Sequence, residues 1–430
     1  MPGTRSDARR LASTEQLPPG ELERRGRERT MALARFAFDR TPFYREHFGQ
    51  AGLRREDLVP QNLAALPLLT KAALRDGGAD LRAQGVASRR FLPSVTGGST
   101  GSPLEVYNDR QAPHAAMWWR CYRWWDIDPG DDVALIYRRK NHGRAAVIEQ
   151  LTWWPTRRLL LDARALDDAA IEGFLTQWRR VKPRLIIGYV EAVMALARRI
   201  REHGESLPRP AAISVTSSVL HPGQRDFLEE VFAAPVYDSY RSAEVPWIAA
   251  ECQQRRGLHI QADIRHVEIV DPSGTPVDVG EDGAVVITDL TNSAFPLIRY
   301  AIGDRSRQLA GTCECGRTLP RLSGIQGRLT DVLATPSGRQ ISGGLSGLFN
   351  RWPRSVRQFQ IYQHADFRVE LRYVRADGPD TAHAVDQACA ELAGLLHHEA
   401  AVSAVEVPEI EQQGGKARLV RSDAPPPTRT

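Results

Sequence analysis

The densest run of chemically useful groups in the chain is Ser94-Val95-Thr96-Gly97-Gly98-Ser99-Thr100-Gly101-Ser102-Pro103. Its glycines let backbone approach a ligand closely. Its hydroxyls can donate to phosphate oxygens, and successive amide N–H groups can form an anion nest. No Gly-Lys-Ser/Thr follows, so this is not a Walker A loop; alone, it reads equally well as a flexible turn. Four later segments carry charge at places where a fold could use it. Tyr240-Arg241-Ser242-Ala243-Glu244 follows a predicted strand end, and Arg299-Tyr300-Ala301-Ile302-Gly303-Asp304 sets a carboxylate just after a glycine turn. Gly327-Arg328-Leu329-Thr330-Asp331 comes next, and Gly414-Gly415-Lys416 puts a lysine on a loop near the C-terminus. The lysines are only Lys71, Lys140, Lys182 and Lys416, in a chain with 57 Lys plus Arg. A chain that uses arginine wherever a generic cation suffices makes each lysine informative. Taken singly, Glu244 and Asp304 read as surface carboxylates, Lys416 as a surface lysine and Arg328 as a loop cation. Their joint order is the signal.

A second constellation is Cys252-x6-His259 with Cys313-x-Cys315. Three thiols and one imidazole make a closed tetrahedral set for Zn²⁺, with no open position for chemistry. Isolated buried cysteines and a core histidine are the competing reading of the spacing. His266 is a spare ligand by type, but its position fits a strand face better. Cys121 and Cys389 sit in helical patterns as small hydrophobes. Five cysteines in 430 residues are too few for a disulfide framework. The run Trp118-Trp119-Arg120-Cys121-Tyr122-Arg123-Trp124-Trp125 could line an aryl-acid pocket, though core packing of a helix suits most of it better. Gly188-Tyr189, at a predicted strand end, is the stronger pocket candidate, because ligands gather at the carboxyl ends of parallel strands.

These groups need a frame. Residues 1–30 are polar and read as frayed or loosely docked; 31–90 read as short helices broken by prolines. From about 166 the pattern turns regular. Ile171, Phe174, Leu175 and Trp178 have helical spacing, and Pro183 closes that helix. Leu185-Ile186-Ile187, Ile213-Ser214-Val215-Thr216 and Val236-Tyr237-Asp238-Ser239-Tyr240 are strands between helices, which argues for a parallel sheet flanked by helices. Val267–Val270 and Ala284–Ile287 read as antiparallel strands around the Pro272-Ser273-Gly274 turn. After about 331 the alternation continues on a smaller scale, with strands at 359–362 and 367–371 and a helix at 382–396. The fold class is α/β: a large N-terminal domain over 1–327, with a parallel sheet and an antiparallel β region, and a small α+β C-terminal domain over 328–430. Its tail from about 423 reads as disordered.

Composition narrows the function classes. Hydrophobic residues are 42% and charged residues 25%, as in an ordinary globular chain. No apolar run approaches the ~20 residues of a membrane helix, and the polar start lacks a secretory h-region, so a cytoplasmic location without membrane partners is expected. The formal charge of +5 is scattered among 52 acids, without a basic stripe, so no nucleic-acid partner is expected.

The ordered set of segments resembles the adenylate-forming enzymes, in the phenylacetate–coenzyme A ligase branch with its capsule-biosynthesis relatives. Thr41-Pro42-Phe43-Tyr44-Arg45 and Leu66-Pro67-Leu68-Leu69-Thr70-Lys71 resemble that branch's N-terminal region, and Thr216-Ser217-Ser218-Val219-Leu220 with Gln224-Arg225 resembles its adenine-side loop. The resemblance implies an ATP- and Mg²⁺-dependent ligase. It would activate a small acid, expected to be aromatic, as its adenylate and pass the acyl group to coenzyme A. A carrier-protein thiol, an amine acceptor and an unusual oxyacid are variants, and a nucleotide-binding relative without turnover is the alternative class. A homodimer is compatible with it. By the same resemblance, Thr96, Gly97, Gly98, Ser99, Thr100 and Gly101 hold the departing phosphates. Ser217 and Ser218 line the adenine pocket beside Asp238, Ser239 and Tyr240. Asp304 and Arg328 hold the ribose, and Glu244 binds Mg²⁺. Gly188, Tyr189 and Tyr240 face the acid. Lys416 bridges the carboxylate and the α-phosphate, carried in and out on a mobile C-terminal domain. The branch also carries a similar Cys/His arrangement, which strengthens a structural zinc at Cys252, His259, Cys313 and Cys315. Three departures stand out. Arg241 replaces a frequent glycine, Ala243 replaces a usual hydroxyl residue, and Thr330 sits where the hinge is often aspartate.

Overall fold

Five strands of one eleven-stranded sheet run parallel: Arg158–Asp162, Val133–Tyr137, Leu185–Tyr189, Ala212–Thr216 and Val236–Tyr240, in that spatial order. The order continues antiparallel through Ala249–Glu251, Leu258–Ile260, Arg321–Leu322, Tyr300–Leu309, Asp282–Asp289 and Arg265–Val270. In this computed structural model the described residues are all but 1, 96–103, 138–147, 149–150, 164–165, 328–332, 342–344, 346–347, 350–351, 353–354, 377–379, 411, 414–415 and 425–430.

The parallel strands are near-continuous apolar runs because both faces are covered. Helix Asp168–Val181 shows how local sequence achieves this. Asp167 caps it by accepting from the Ala170 amide at 2.8 Å. Ile171, Phe174, Leu175 and Trp178 form its buried stripe, and Lys182 ends it in a left-handed conformation before Pro183. With helices Val190–Glu202 and Pro222–Phe232 it builds one core layer against Ile136, Ile186, Ile213 and Val215. The opposite layer packs Leu135, Leu185, Ile187 and Ala212 against helix His114–Trp124. Trp124 and Trp125 are buried there, and Trp125 stacks on Tyr237 at 5.4 Å, so packing is the role of these two tryptophans.

The N-terminal thirty residues differ from expectation. They form helix Pro2–Thr14 and the start of helix Pro19–Arg40, with Leu11 and Leu22 buried. Few apolar groups were needed, because polar anchors do the docking. Arg120, fully buried, donates to Asp263 Oδ1 and Oδ2 and to Gln261 Oε1, each at 2.7 Å, and also to the Leu11 carbonyl. Thr14 donates to Asp263 at 2.7 Å, and Thr318 donates to the Glu15 carbonyl at 3.1 Å. Such a buried charge is tolerated only when fully paired.

Beyond residue 332 a separate four-stranded sheet has the order Val402–Glu406, Val369–Arg375, Val356–Gln363, Val420–Ser422. Helix Thr381–Leu395 packs on it, and its hydrophobic cluster draws on residues from Leu333 to Val420 alone. Asp423 is tied in through its amide to the Gln363 carbonyl at 2.8 Å. A ring contact of 5.9 Å between His221 and Phe359 joins this unit to the start of helix Pro222–Phe232. Among the described residues no helix is long and apolar enough to cross a membrane.

Candidate active site and metal centre

The parallel strands end at one edge of the sheet, at Tyr137, Tyr189, Thr216 and Tyr240. Chain that leaves such an edge is free of ladder constraints and can aim side chains. Immediately beyond Tyr240, the turn to Glu244 is held by Val245 N–H to Ser242 Oγ at 2.9 Å. The Ala243 carbonyl accepts from Ser94 Oγ at 2.9 Å and from Asn108 Nδ2 at 3.2 Å. Those two donors belong to the antiparallel pair Phe91–Val95 and Glu105–Asp109. The stem of the glycine/hydroxyl loop is therefore fastened to the turn that carries Glu244. Thr96, Gly97, Gly98, Ser99, Thr100 and Gly101 themselves lie outside the described residues, as does Arg328.

Two carboxylates far apart in sequence meet this turn through phenols. Tyr240 donates to Asp304 Oδ2 at 2.7 Å, and Tyr300 donates to Glu244 Oε1 at 3.1 Å. Glu244 is 7% exposed. Asp304 follows Gly303, whose φ of +88° favours glycine. A Cβ at Gly303 would stand 3.3 Å from Lys71 Nζ, so the first of the four lysines lies beside the Asp304 turn. The sequence flagged Lys71 as rare but offered no partner for it. It arrives through the parallel bridge between Leu69 and Tyr300.

The remaining sites divide. Asp238 is held between desolvation, the larger effect, and the Glu251 charge, which together push its carboxyl up to about 7. Its own amide donates to Glu251 Oε2 at 2.8 Å. The Ser239 hydroxyl is committed to Ser214 Oγ at 2.8 Å inside the sheet. Ser217 takes φ +83° just past its strand, a left-handed conformation uncommon for a side chain-bearing residue, and Ser218 follows it. Tyr189 packs edge-on against Tyr137 at 5.1 Å. Gly188 has a packing reason: a Cβ there would meet Val193 Cγ2 at 2.7 Å and Ile136 Cβ at 2.9 Å. Lys416 lies in the short strand Lys416–Ala417, paired with Gln412–Gln413.

On the antiparallel side, the ligand atoms of Cys252, His259, Cys313 and Cys315 all lie within 4.8 Å of one another. Cys252 Sγ and Cys313 Sγ are 3.8 Å apart, and Cys315 Sγ is 3.4 Å from His259 Nε2. A tetrahedron with Zn–S bonds of ~2.3 Å has S···S edges of about 3.8 Å. His259 Nδ1 lies 3.3 Å from the Leu319 carbonyl, which fixes the ring and leaves Nε2 toward the thiols. Burial pushes the His259 imidazole down to about 4, so it stays neutral at pH 7, as a metal ligand must be. The donor set fits Zn²⁺. His266 stays out of it, buried against Gly26 on strand Arg265–Val270.

No family model matches the chain. A phenylacetate–coenzyme A ligase of Thermus thermophilus is 27% identical over 389 residues, covering 83% of this chain and 83% of its own length. The Escherichia coli phenylacetate–coenzyme A ligase is 26% identical over 335 residues, covering 75% of each chain. Among solved structures, a 2-hydroxyisobutyryl-CoA ligase in the postadenylation state, with an acyl-AMP bound, shares the fold at a TM-score of 0.77 and 23% identity. That match covers 95% of this chain and 91% of the other.

Proposed function

We propose that this chain, which belongs to the adenylate-forming enzymes on their phenylacetate–coenzyme A ligase branch, joins a small carboxylic acid to the thiol of coenzyme A at the expense of ATP. The observation that carries the reading is the pair of phenol–carboxylate bonds, Tyr240 to Asp304 and Tyr300 to Glu244, at the carboxyl edge of the parallel strands. These bonds hold two carboxylates 60 residues apart in sequence beside the stem of a hydroxyl-rich loop.

The division of labour follows from chemistry. Residues 96–101 supply amides and hydroxyls to the phosphates that leave as pyrophosphate. Asp304 accepts from the ribose hydroxyls, and Arg328 supports the ribose. Ser217, Ser218 and the backbone at Asp238, Ser239 and Tyr240 flank the base. Tyr189 and Tyr240 border the acid. Glu244, with Tyr300 fixing one of its oxygens, is the carboxylate suited to Mg²⁺, which when bound screens the charge of the departing phosphates. Lys416 offers an ammonium to the oxygens of the α-phosphate and of the attacking carboxylate, where negative charge gathers as the new P–O bond forms. The acid oxygen attacks the α-phosphorus and pyrophosphate departs. The thiolate then attacks the acyl carbon, and AMP departs.

A two-part organisation, 1–327 and 328–430, suits this sequence of steps, because one lysine serves only the first of them. Cys252, His259, Cys313 and Cys315 hold Zn²⁺ as a structural staple. The cytoplasm is the compartment that keeps five unpaired cysteines reduced.

The test is pyrophosphate release across a panel of acids, with Lys416→Ala. The variant should lose about 10²–10³-fold in adenylation. It should still form thioester when given a synthetic acyl-adenylate and coenzyme A. A variant that releases pyrophosphate at the wild-type rate would remove Lys416 from the mechanism.

A further inference from the structure

Arg241 is the first residue beyond strand Val236–Tyr240, so it leaves the sheet at the edge where Tyr137 and Tyr189 end their own strands. Its guanidinium carbon lies 4.3 Å from the ring centre of Trp247 and 5.6 Å from that of Trp118. Tyr137 is a hydrogen-bonding neighbour of it. Its Nε and Nη2 are both buried, and neither has a hydrogen-bond partner among the described residues.

Among the described residues Arg120 Nε, Arg199 Nη1 and Arg305 Nε are single cases of this kind, and Arg241 has two such atoms on one guanidinium. The fully buried Arg265 is paired with Asp289 at 2.6 Å, Arg120 with Asp263 at 2.7 Å, and Arg299 with Glu268 at 3.1 Å. Burying two guanidinium N–H atoms without a partner is costly, and the aromatic faces of Trp247 and Trp118 return only part of that cost. Asp238 is close enough for its charge to be felt, yet it bonds to neither nitrogen.

The two unpartnered atoms form one edge of the guanidinium fork. Elsewhere in the chain that same edge takes a carboxylate, with both oxygens at Asp39 and with Oδ2 alone at Asp132. Arg55 Nε and Nη2 donate to Asp39 at 2.7 and 2.9 Å, and Arg157 does so to Asp132 at 2.9 and 2.6 Å. Such bidentate pairs are the strongest neutralising contact an arginine makes.

We infer that Arg241 is a specificity residue that receives a second carboxylate of the acid, so that the substrate class is a dicarboxylic acid. The inference rests on the ligase reading above. One carboxylate of the substrate goes to the α-phosphorus, and the other docks on the Nε/Nη2 edge between Trp118 and Trp247. An acid with a single carboxylate would leave the Nε/Nη2 edge in the site without a partner. A site built around a polar partner rejects the analogue that lacks it far more strongly than an apolar pocket rejects a missing methylene.

The experiment compares matched acids: phenylacetate against 4-carboxyphenylacetate, and butyrate against glutarate. Pyrophosphate release is measured with the wild type, Arg241→Gly and Arg241→Lys. In the wild type, kcat/KM should favour the diacid of each pair on the order of 10²-fold or more. Arg241→Gly should invert the preference by gaining on the monoacids, and Arg241→Lys should keep part of it. Unfolding midpoints and calorimetric ATP binding report whether each variant is folded and takes nucleotide. Equal loss on both acid classes in a folded Arg241→Gly overturns the inference, since the arginine would then serve the reacting carboxylate. Equal wild-type turnover of monoacid and diacid overturns it too, while leaving the ligase reading intact. If no acid in either class releases pyrophosphate, the ligase reading fails, and calorimetry with the diacids alone decides the inference. Binding to wild type but not to Arg241→Gly upholds it; equal binding, or none, overturns it.

Discussion

The two clusters of ligating side chains in this chain are opposites. Cys252, His259, Cys313 and Cys315 approach one another across a few ångströms, with the imidazole already held by a backbone carbonyl. Glu244 accepts from Tyr300 and Asp304 from Tyr240, on separate bonds. The first set is closed: its four donors would saturate one small ion, which makes its proposed worth structural. The second set is open on the proposed reading, which offers Glu244 and Asp304 to ligands that are not protein. Closure converts ligand chemistry into stability, and openness reserves it for turnover.

The largest expected effect lies on the closed side. Cys313→Ser or His259→Ala should abolish most soluble folded protein, because a buried thiolate set without its ion loses binding free energy that is also folding free energy. Elemental analysis should give one zinc per wild-type chain, and a strong chelator should lower the unfolding midpoint of the wild type. Zinc-free protein with an unchanged midpoint would break the contrast. On the open side, Glu244→Gln should leave the midpoint near that of the wild type while lowering pyrophosphate release by about 10²–10³-fold. A collapse of stability instead would make Glu244 structural.

The smallest effect sharpens the contrast through pH. Asp238 is pushed up to about 7 from a reference of 3.8, by burial first and then by Glu251. The folded state thus binds more protons than the unfolded state between those values. Stability from this group is full below the reference value and is lost as pH rises through 7. Asp238→Asn carries no such charge. Its unfolding midpoint should gain on the wild type by a few degrees between pH 4 and 7 and then hold steady. A difference that shrinks with rising pH would overturn this assignment.

The legibility of the sequence follows the same division. The strands around Leu185, Ile213 and Val236 and the helix stripe of Ile171 to Trp178 were readable, because periodicity is local. Cys-x-Cys with a distant Cys/His pair was readable as a candidate because only a few chemistries want that set. The docking of residues 2–40 was not. Its anchors are ionic and lie far off, with Arg120 reaching Asp263 and Glu15 reaching Arg317. Neither the grip of Tyr300 on Glu244 nor the placing of Arg241 on Trp247 could be found from spacing, since each joins a turn to a distant or crossing element. Arg241 was visible as a departure from its relatives, but its unmatched edge needed coordinates.

The Tyr240–Asp304 bond has a consequence for affinity. Under the ribose role proposed for Asp304, an arriving nucleotide sugar would meet a carboxylate that already has a phenol seated on it. Recognition at that point is an exchange of one donor for another, so the gain on binding is the difference between two similar contacts. The protein thereby gives up tightness at rest for ease of release, which suits a site that must let AMP go after every cycle.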